Sequence, residues 1–93
     1  MDINTILSHI DHTLLAPDAT DADITRLCKE ALEFHTASVC VNPVNVKLAK
    51  QILGKKIPIC TVVGFPLGAA TTLVKALEAK LAIADGAKEI DMV

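Results

Sequence analysis

The chain alternates short apolar runs with stretches in which apolar residues recur every three or four positions. The clearest run is residues 58–68, P-I-C-T-V-V-G-F-P-L-G, which opens with apolar and β-branched residues and closes with turn residues. It is too short for a helix and predicts a strand that is buried on both faces. Such strands belong to parallel sheets covered by helices, and ligands of α/β proteins bind at the carboxyl ends of these strands. We therefore place Gly64–Gly68, which leaves this strand, beside a functional site.

Three longer helices are predicted from apolar positions at i, i+3, i+4 and i+7. The first begins at a capping box, Thr20 with Asp23, and ends near residue 33. The second begins with Asn42 as N-cap and Pro43 at the first helical position, and it ends at residue 54. The third covers residues 70–85 and is capped by Gly86. The predicted buried faces are Ile24, Leu27, Cys28, Ala31 and Leu32 in the first helix, Val44, Leu48, Ala49, Ile52 and Leu53 in the second, and Val74, Leu77, Leu81 and Ala84 in the third.

The order of the elements predicts the fold class. Residues 1–8 predict a short leading helix, and strands are predicted over 9–15, 37–41, 58–63 and 88–93. Strands that alternate with helices through short loops indicate an α/β fold with a parallel sheet. The unit length matches a (β/α)8 TIM barrel, of which a complete copy needs about 250 residues. We expect residues 1–93 to form a single partial barrel domain, the first half with about four strands and three helices, truncated after the fourth strand.

Composition and charge argue against several classes of protein. The chain is 52% hydrophobic, has a formal net charge of -2 and contains neither Trp nor Tyr. Without a basic stripe or aromatic platforms it does not resemble a nucleic-acid binder, and it lacks an apolar run of the roughly 18 residues that cross a bilayer. The amino terminus has no basic region of a signal peptide, so we expect a soluble, cytoplasmic protein. Three cysteines without C-x-x-C spacing predict buried thiols rather than a metal site.

Asp91 is the first candidate for chemistry. Alternation along the fourth strand directs Ile90 and Met92 to the helices and Glu89, Asp91 and Val93 to the barrel interior. An interior carboxylate is unfavourable unless it is paired or hydrogen-bonded. Asp91 is therefore either a general acid/base beside a cationic group or a strand-end residue that is solvated or caps a turn.

The first two strands supply further candidates. Asp11 either orients a lysine or a proton relay, or it makes a structural hydrogen bond to a neighbouring loop. We expect His12 to be an ordinary interior or surface residue rather than a ligand. Cys40 ends the second strand without an evident base, so a thiol that lines a pocket is favoured over a nucleophile. Asn42 is either a helix cap or a ligand contact.

The glycine loop and the lysines restrict the chemistry further. Gly64-x-x-x-Gly68 is not followed by the Lys-Ser/Thr of a phosphate-binding P-loop, so it either admits a small substrate close to the backbone or only makes the turn.

Every lysine falls on a predicted helix or at the amino end of a strand. The sequence therefore places no amine at the carboxyl ends, where covalent catalysis would require one.

Four segments together resemble a known family: residues 10–15 (I-D-H-T-L-L), 37–43 (A-S-V-C-V-N-P), 61–68 (T-V-V-G-F-P-L-G) and 86–93 (G-A-K-E-I-D-M-V). They are similar, in order and along the whole chain, to the amino-terminal portion of the bacterial class I deoxyribose-phosphate aldolases.

The resemblance implies a function and roles for individual residues. It implies reversible cleavage of 2-deoxy-D-ribose 5-phosphate to glyceraldehyde 3-phosphate and acetaldehyde through a lysine Schiff base, without a cofactor or metal, in deoxyribonucleotide catabolism. Asp91 matches the proton donor/acceptor and Asp11 an aspartate that supports the lysine network. Cys40 matches a residue that lines the substrate pocket, where we also place Asn42, Gly64 and Phe65. The Schiff-base lysine has no counterpart in these residues, so the 93-residue chain alone is predicted to be inactive.

Three interpretations of the molecule remain open. It is an aldolase portion without activity of its own, or a self-associating half-barrel that forms a homodimer or larger assembly through its open sheet edges. The third is an open flavodoxin-like domain, which no phosphate-binding fingerprint supports. The expected small-molecule partner is a phosphosugar or aldehyde substrate of the full-length enzyme; nucleic acid and membrane are not expected partners.

Overall fold

The computed structural model describes residues 2–93 as one four-stranded parallel sheet with helices between the strands. The strands follow one another in sequence order, β1-β2-β3-β4. This is the arrangement of consecutive strands in a (β/α)8 barrel, so the α/β fold class predicted from the pattern is confirmed. The elements are α1 (Ile3–Leu7), β1 (Asp11–Leu14), α2 (Asp21–Phe34), β2 (Ser38–Val41), a 3-10 turn (Pro43–Asn45), α3 (Val46–Leu53), β3 (Ile59–Val63), α4 (Thr72–Asp85) and β4 (Glu89–Met92).

Two apolar clusters lie on opposite faces of this sheet. The larger cluster joins the helices to the alternate strand residues Val39, Val41 and Ile59, and Ile90 packs against it. The smaller cluster contains Cys40, Cys60 and Val62, with Leu15 beside it. We call the face of the smaller cluster the inner face. All five residues of β3 are buried, as the apolar run predicts.

Local sequence signals determine where α2 begins and ends. The Thr20 hydroxyl accepts the Asp23 N–H at 3.1 Å, and the Asp23 carboxylate accepts the Thr20 N–H at 2.9 Å, which confirms the predicted capping box. His35 ends the helix in the left-handed conformation (φ 54°), and its N–H donates to the Ala31 carbonyl. The predicted face is also confirmed, since Ile24, Leu27, Cys28 and Ala31 are buried and Leu32 packs against them.

The start of the second long helix differs from the prediction. Residues 43–45 form a 3-10 turn, and the Asn42 side chain does not cap it. This tighter turn rotates Val44 into solvent, where it is 84% exposed, while Val46 is buried in its place. The predicted contribution of Val44 to the core is therefore wrong. Gly54 ends α3 as predicted, with its N–H donating to the Lys50 carbonyl.

The predicted buried face of α4 is also wrong. Val74, Leu77 and Leu81 are more than half exposed, and Ala84 is exposed as well. The side turned to the sheet instead carries the half-buried Lys75, Glu78 and Ala79 and the buried Ala82, at i, i+3, i+4 and i+7. Small alanines let the helix approach β3 closely, and the larger apolar residues are directed away from it. Gly86 caps the helix as predicted.

Candidate functional site

Asp91 lies on the inner face, as strand alternation predicts. It is in register with Val62 of β3, which belongs to the inner cluster, whereas its neighbour Ile90 packs on the helix side. Asp91 is exposed to solvent. Met92 does not pack beneath the helices, because it is 55% exposed at the edge strand. Of the two outcomes considered for an interior carboxylate, pairing or solvation, Asp91 is solvated here.

Asp11 also faces inward, but at the amino end of β1. It is in register with Ser38, whose hydroxyl donates to Asp11 Oδ1 at 2.7 Å. Asp11 therefore makes a structural hydrogen bond, but to a residue of β2 rather than to the neighbouring loop that the sequence offered as one alternative. The register does not place Asp11 and Asp91 side by side. Both charges nevertheless act on Cys40, which lies between them on β2.

Cys40 and Cys60 occupy facing positions on β2 and β3. Burial raises the pKa of the Cys40 thiol, the Cys60 thiol opposes this in part, and the nearby Asp91 and Asp11 charges add to the rise. Burial raises the pKa of the Cys60 thiol to about 12, and Cys40 adds to that rise. Both thiols are therefore protonated at neutral pH, and a protonated thiol is a poor nucleophile. These properties favour a lining role for Cys40 over covalent chemistry.

Asn42 and the Gly64–Gly68 segment lie at the carboxyl ends of β2 and β3. Asn42 Nδ2 donates to the Leu15 carbonyl at 3.0 Å and so ties the end of β2 to the residue after β1. Gly64 has a left-handed φ of 70°, and the Gly68 N–H donates to the Gly64 carbonyl at 2.7 Å. Phe65 is exposed beyond this turn. These residues and Asp91 therefore belong to one edge of the sheet.

His12 and the lysines lie away from the inner face, whereas Glu89 shares that face with Asp91 and is in register with Cys60. His12 Nε2 is 2.9 Å from Glu30 Oε1 on the helix side of β1, so it has a partner of its own there. Five lysines are on helices, Lys55 and Lys56 precede β3, and Lys88 precedes β4. Lys75 comes nearest to the carboxyl edge: a Cβ placed on Gly64 would lie 3.0 Å from its Cε atom.

Glu78 is a residue of this region that the sequence pattern did not reveal. Its Oε1 atom accepts the Gly64 N–H at 2.9 Å, from the sheet-facing side of α4. Helical spacing could have shown it, since Glu78 shares a stripe with Ala79 and Ala82. The more apolar stripe on the other side of the helix masked this signal.

A cavity of about 470 Å³ lies at the opposite, amino-terminal edge of the sheet. It lies between the ends of α3 and α4, and Lys50, Lys55 and Lys88 are among its lining residues. Lys50 Nζ donates to the Gly54 carbonyl at 3.0 Å, so this lysine satisfies the end of its own helix. The cavity is separate from Asp91 and Cys40, and we do not assign the candidate site to it.

Two further features concern residues 2–93. Their His, Cys, Asp and Glu side chains do not form groups of three or more that could hold a metal ion. That the reaction needs no metal stays a prediction. Within the same residues, no helix has both the length and the apolar character needed to cross a membrane.

A parallel sheet of consecutive strands, with helices on one face and carboxylates on the other, defines part of an α/β-barrel protein. The model of the DeoC/LacD family aldolases matches residues 5–93. The chain belongs to this family.

Individual relatives agree with this assignment. The deoxyribose-phosphate aldolase of Clostridium perfringens is 57% identical over 94 residues, which is 100% of this chain and 42% of that protein. The Treponema denticola enzyme of the same name is 53% identical over the same shares. The chain therefore spans about two fifths of the length of the curated relatives that it matches.

Solved structures show the same partial coverage. A Coccidioides immitis structure assigned to deoxyribose-phosphate aldolase matches 99% of this chain and 37% of its own, with a TM-score of 0.94 and 42% identity. A tetrameric deoxyribose phosphate aldolase from Aeropyrum pernix matches 96% of this chain and 38% of its own, with a TM-score of 0.91 and 36% identity.

Proposed function

We propose that this chain supplies the proton-transfer aspartate and part of the substrate pocket of a 2-deoxy-D-ribose-5-phosphate aldolase. The observation that carries the proposal is the position of Asp91 on the inner face of β4, in register with Val62 and close enough to Cys40 to affect its pKa. The family and the names of the relatives support the substrate.

The proposed reaction requires proton transfer at several stages. A lysine amine condenses with the substrate aldehyde and releases water, which gives an iminium ion. Loss of the C3 hydroxyl proton breaks the C2–C3 bond, releases glyceraldehyde 3-phosphate and leaves an enamine. Protonation of the enamine carbon and hydrolysis then release acetaldehyde and the amine. A solvated carboxylate beside the reacting carbons suits such transfers. We assign this role to Asp91.

The amine is proposed to come from another part of the whole protein. In residues 2–93 all eight lysines lie on helices or before strands, and no lysine belongs to the carboxyl end of a strand. Lys75 is the one to exclude by experiment, because its aliphatic chain packs on Gly64. Asp11 is proposed to support the lysine network through the inner face, while Ser38 holds its carboxylate.

The remaining assignments complete the proposal. Cys40, Asn42, Gly64 and Phe65 are proposed to line the substrate pocket at the carboxyl edge. Residues 1–93 are proposed to form one partial barrel domain, which the continuous helix-side core supports. The three buried free cysteines fit a reducing compartment such as the cytoplasm.

The test replaces the matched 94 residues of the Clostridium perfringens relative with this chain and measures retro-aldol cleavage by the chimera. We expect the chimera to be active and Asp91→Asn to lower kcat about 100-fold or more, because the amide cannot transfer the proton. The matched control is Glu89→Gln, two residues earlier on the same face of β4, with a change below about threefold.

Three results would contradict the proposal. An inactive but folded chimera would argue against the substrate, and an Asp91→Asn variant with the kcat of the parent would remove Asp91 from the chemistry. Treatment with substrate and borohydride should attach the reduced adduct outside this segment. An adduct on Lys75 would show that the amine comes from this chain.

A second candidate function is self-association without catalysis. Within residues 2–93, β1 and β4 each pair on one side only, and the outward side of α4 carries the exposed Leu73, Leu77 and Leu81. Unpaired strand edges beside apolar surface favour pairing with another chain. A two-fold dimer that pairs β4 of each copy with β1 of the other would cover both edges.

A further inference from the structure

Glu78 stands out as a carboxylate on the side of α4 that faces the sheet. It is half-buried beside Ala79, one turn before the buried Ala82, on a helix whose larger apolar residues point elsewhere. Burying part of a carboxylate is unfavourable unless the group receives hydrogen bonds. A glutamate in this position therefore needs a specific partner.

The partner is the backbone of Gly64, the first residue after β3. The Gly64 N–H donates to Glu78 Oε1 at 2.9 Å, while the Gly64 carbonyl accepts the Gly68 N–H at 2.7 Å. A hydrogen bond to a carboxylate is charge-assisted and stronger than one between neutral groups. Gly64 is therefore held by α4 on its amide side and by its own loop on its carbonyl side.

Atoms of α4 and of the residue after β4 lie close to Gly64. A Cβ atom at this position would lie 3.0 Å from Lys75 Cε and 3.1 Å from the Val93 carbonyl oxygen. Lys75 precedes Glu78 by one turn, and within residues 2–93 it makes no ion pair closer than 4.0 Å. The Glu78 carboxylate therefore accepts the Gly64 N–H and does not form an ion pair with the ammonium group of Lys75.

We propose that Glu78 is a positioning residue: by fixing the Gly64 amide it sets the direction of residues 64–68 at the carboxyl edge, and with it the place of Phe65 beside the inner-face site. Its effect on catalysis rests on the aldolase function proposed above. Its effect on the loop does not depend on that function.

The test compares Glu78→Ala and Glu78→Gln, with Glu33→Ala as the matched control at an exposed helical glutamate. Labelling with [15N]glycine gives only four glycine amide signals in this chain, and Gly64→Ala identifies that of Gly64. The spectra are recorded on this chain and on the chimera, and kcat and KM on the chimera.

We expect Glu78→Ala to shift the Gly64 amide proton upfield and to speed its exchange with solvent about tenfold or more, because the amide loses its acceptor. In the chimera, KM should rise and kcat/KM should fall about 10- to 100-fold through misplacement of the loop. Glu78→Gln keeps an acceptor oxygen and should recover most of both effects. Glu33→Ala should change neither.

The results separate this proposal from the proposed function. An unchanged Gly64 amide signal in Glu78→Ala would overturn it. A Glu78→Ala chimera with a changed Gly64 amide signal but the KM and kcat/KM of the parent would also overturn the proposal, because Glu78 would then act on the loop alone. If the parent chimera lacks retro-aldol activity, the aldolase proposal fails, while the amide comparison still decides whether Glu78 fixes the loop.

Discussion

Cys60 is a buried thiol whose raised pKa makes the stability of the fold depend on pH. It lies opposite Cys40 in a buried position, and burial raises its pKa from 9.0 to about 12. Burial also raises the pKa of Cys28 to about 11 on the helix side. In the unfolded chain these thiols ionise near their ordinary pKa, so above about pH 9 the folded protein holds protons that the unfolded chain releases.

This difference predicts that stability falls as the pH rises. The contribution of Cys60 is fully present below its unfolded pKa of 9.0 and is lost as the pH rises toward about 12. We expect the free energy of unfolding, measured by urea denaturation, to decrease between pH 8 and pH 10.5. Cys60→Ala should flatten this decrease, whatever its effect at pH 8. An equal slope in the variant would contradict the explanation.

At the scale of elements, α2 combines a strong start with a strained end. Its capping box satisfies the first turn, but His35 adopts a left-handed conformation that residues other than glycine rarely adopt. The other positive φ angles within residues 2–93 belong to Gly54, Gly64, Gly68 and Gly86. His35 is exposed, so its side chain adds little packing to offset the strain.

His35→Gly is therefore expected to stabilise the protein by about 0.5–1 kcal/mol, the strain relieved less the extra entropy of glycine in the unfolded chain. Thermal or urea unfolding measures the change. His35→Ala is the matched control, because alanine removes the imidazole but keeps the strain, and it should not stabilise. Stabilisation by both variants would point to the imidazole rather than to the backbone.

At the scale of the whole molecule, the uncovered surfaces have the clearest consequence. The sheet has two edges, and the outward side of α4 is apolar. Exposed apolar residues lie on α1, at Ile3 and Ile6, and on α4, at Leu77 and Leu81. Burying such residues between two copies would be favourable.

The 93-residue chain is accordingly expected to form a compact dimer of two 9.8-kDa copies without retro-aldol activity. Light scattering and the cleavage assay on the same sample measure both properties. Leu77→Glu should shift the dimer toward monomer, because it places a charge on the apolar side of α4. Lys47→Glu, an exposed charge change on α3 away from this surface, should not. A monomeric parent, or turnover by this chain alone, would contradict the prediction.

Much of the fold could be predicted from local sequence patterns. Residues within a few positions of one another decide the apolar and β-branched run of β3, the capping box at Thr20 and the glycine ends of α3 and α4. The inward direction of Asp91 also followed from sequence, because side chains alternate along a strand wherever the strand lies.

Only the tertiary structure decided which side of α4 meets the sheet and what holds Gly64. The sequence favoured the stripe of Val74, Leu77 and Leu81, because periodicity ranks helix faces by hydrophobicity and contains no information about the neighbour. Close approach to β3 instead selected the small Ala79 and Ala82, and the backbone amide of Gly64 selected Glu78. A hydrogen bond between residues 14 positions apart depends on how two elements pack. The sequence determined the elements and the direction of Asp91, while packing between elements determined the contacts that shape the site.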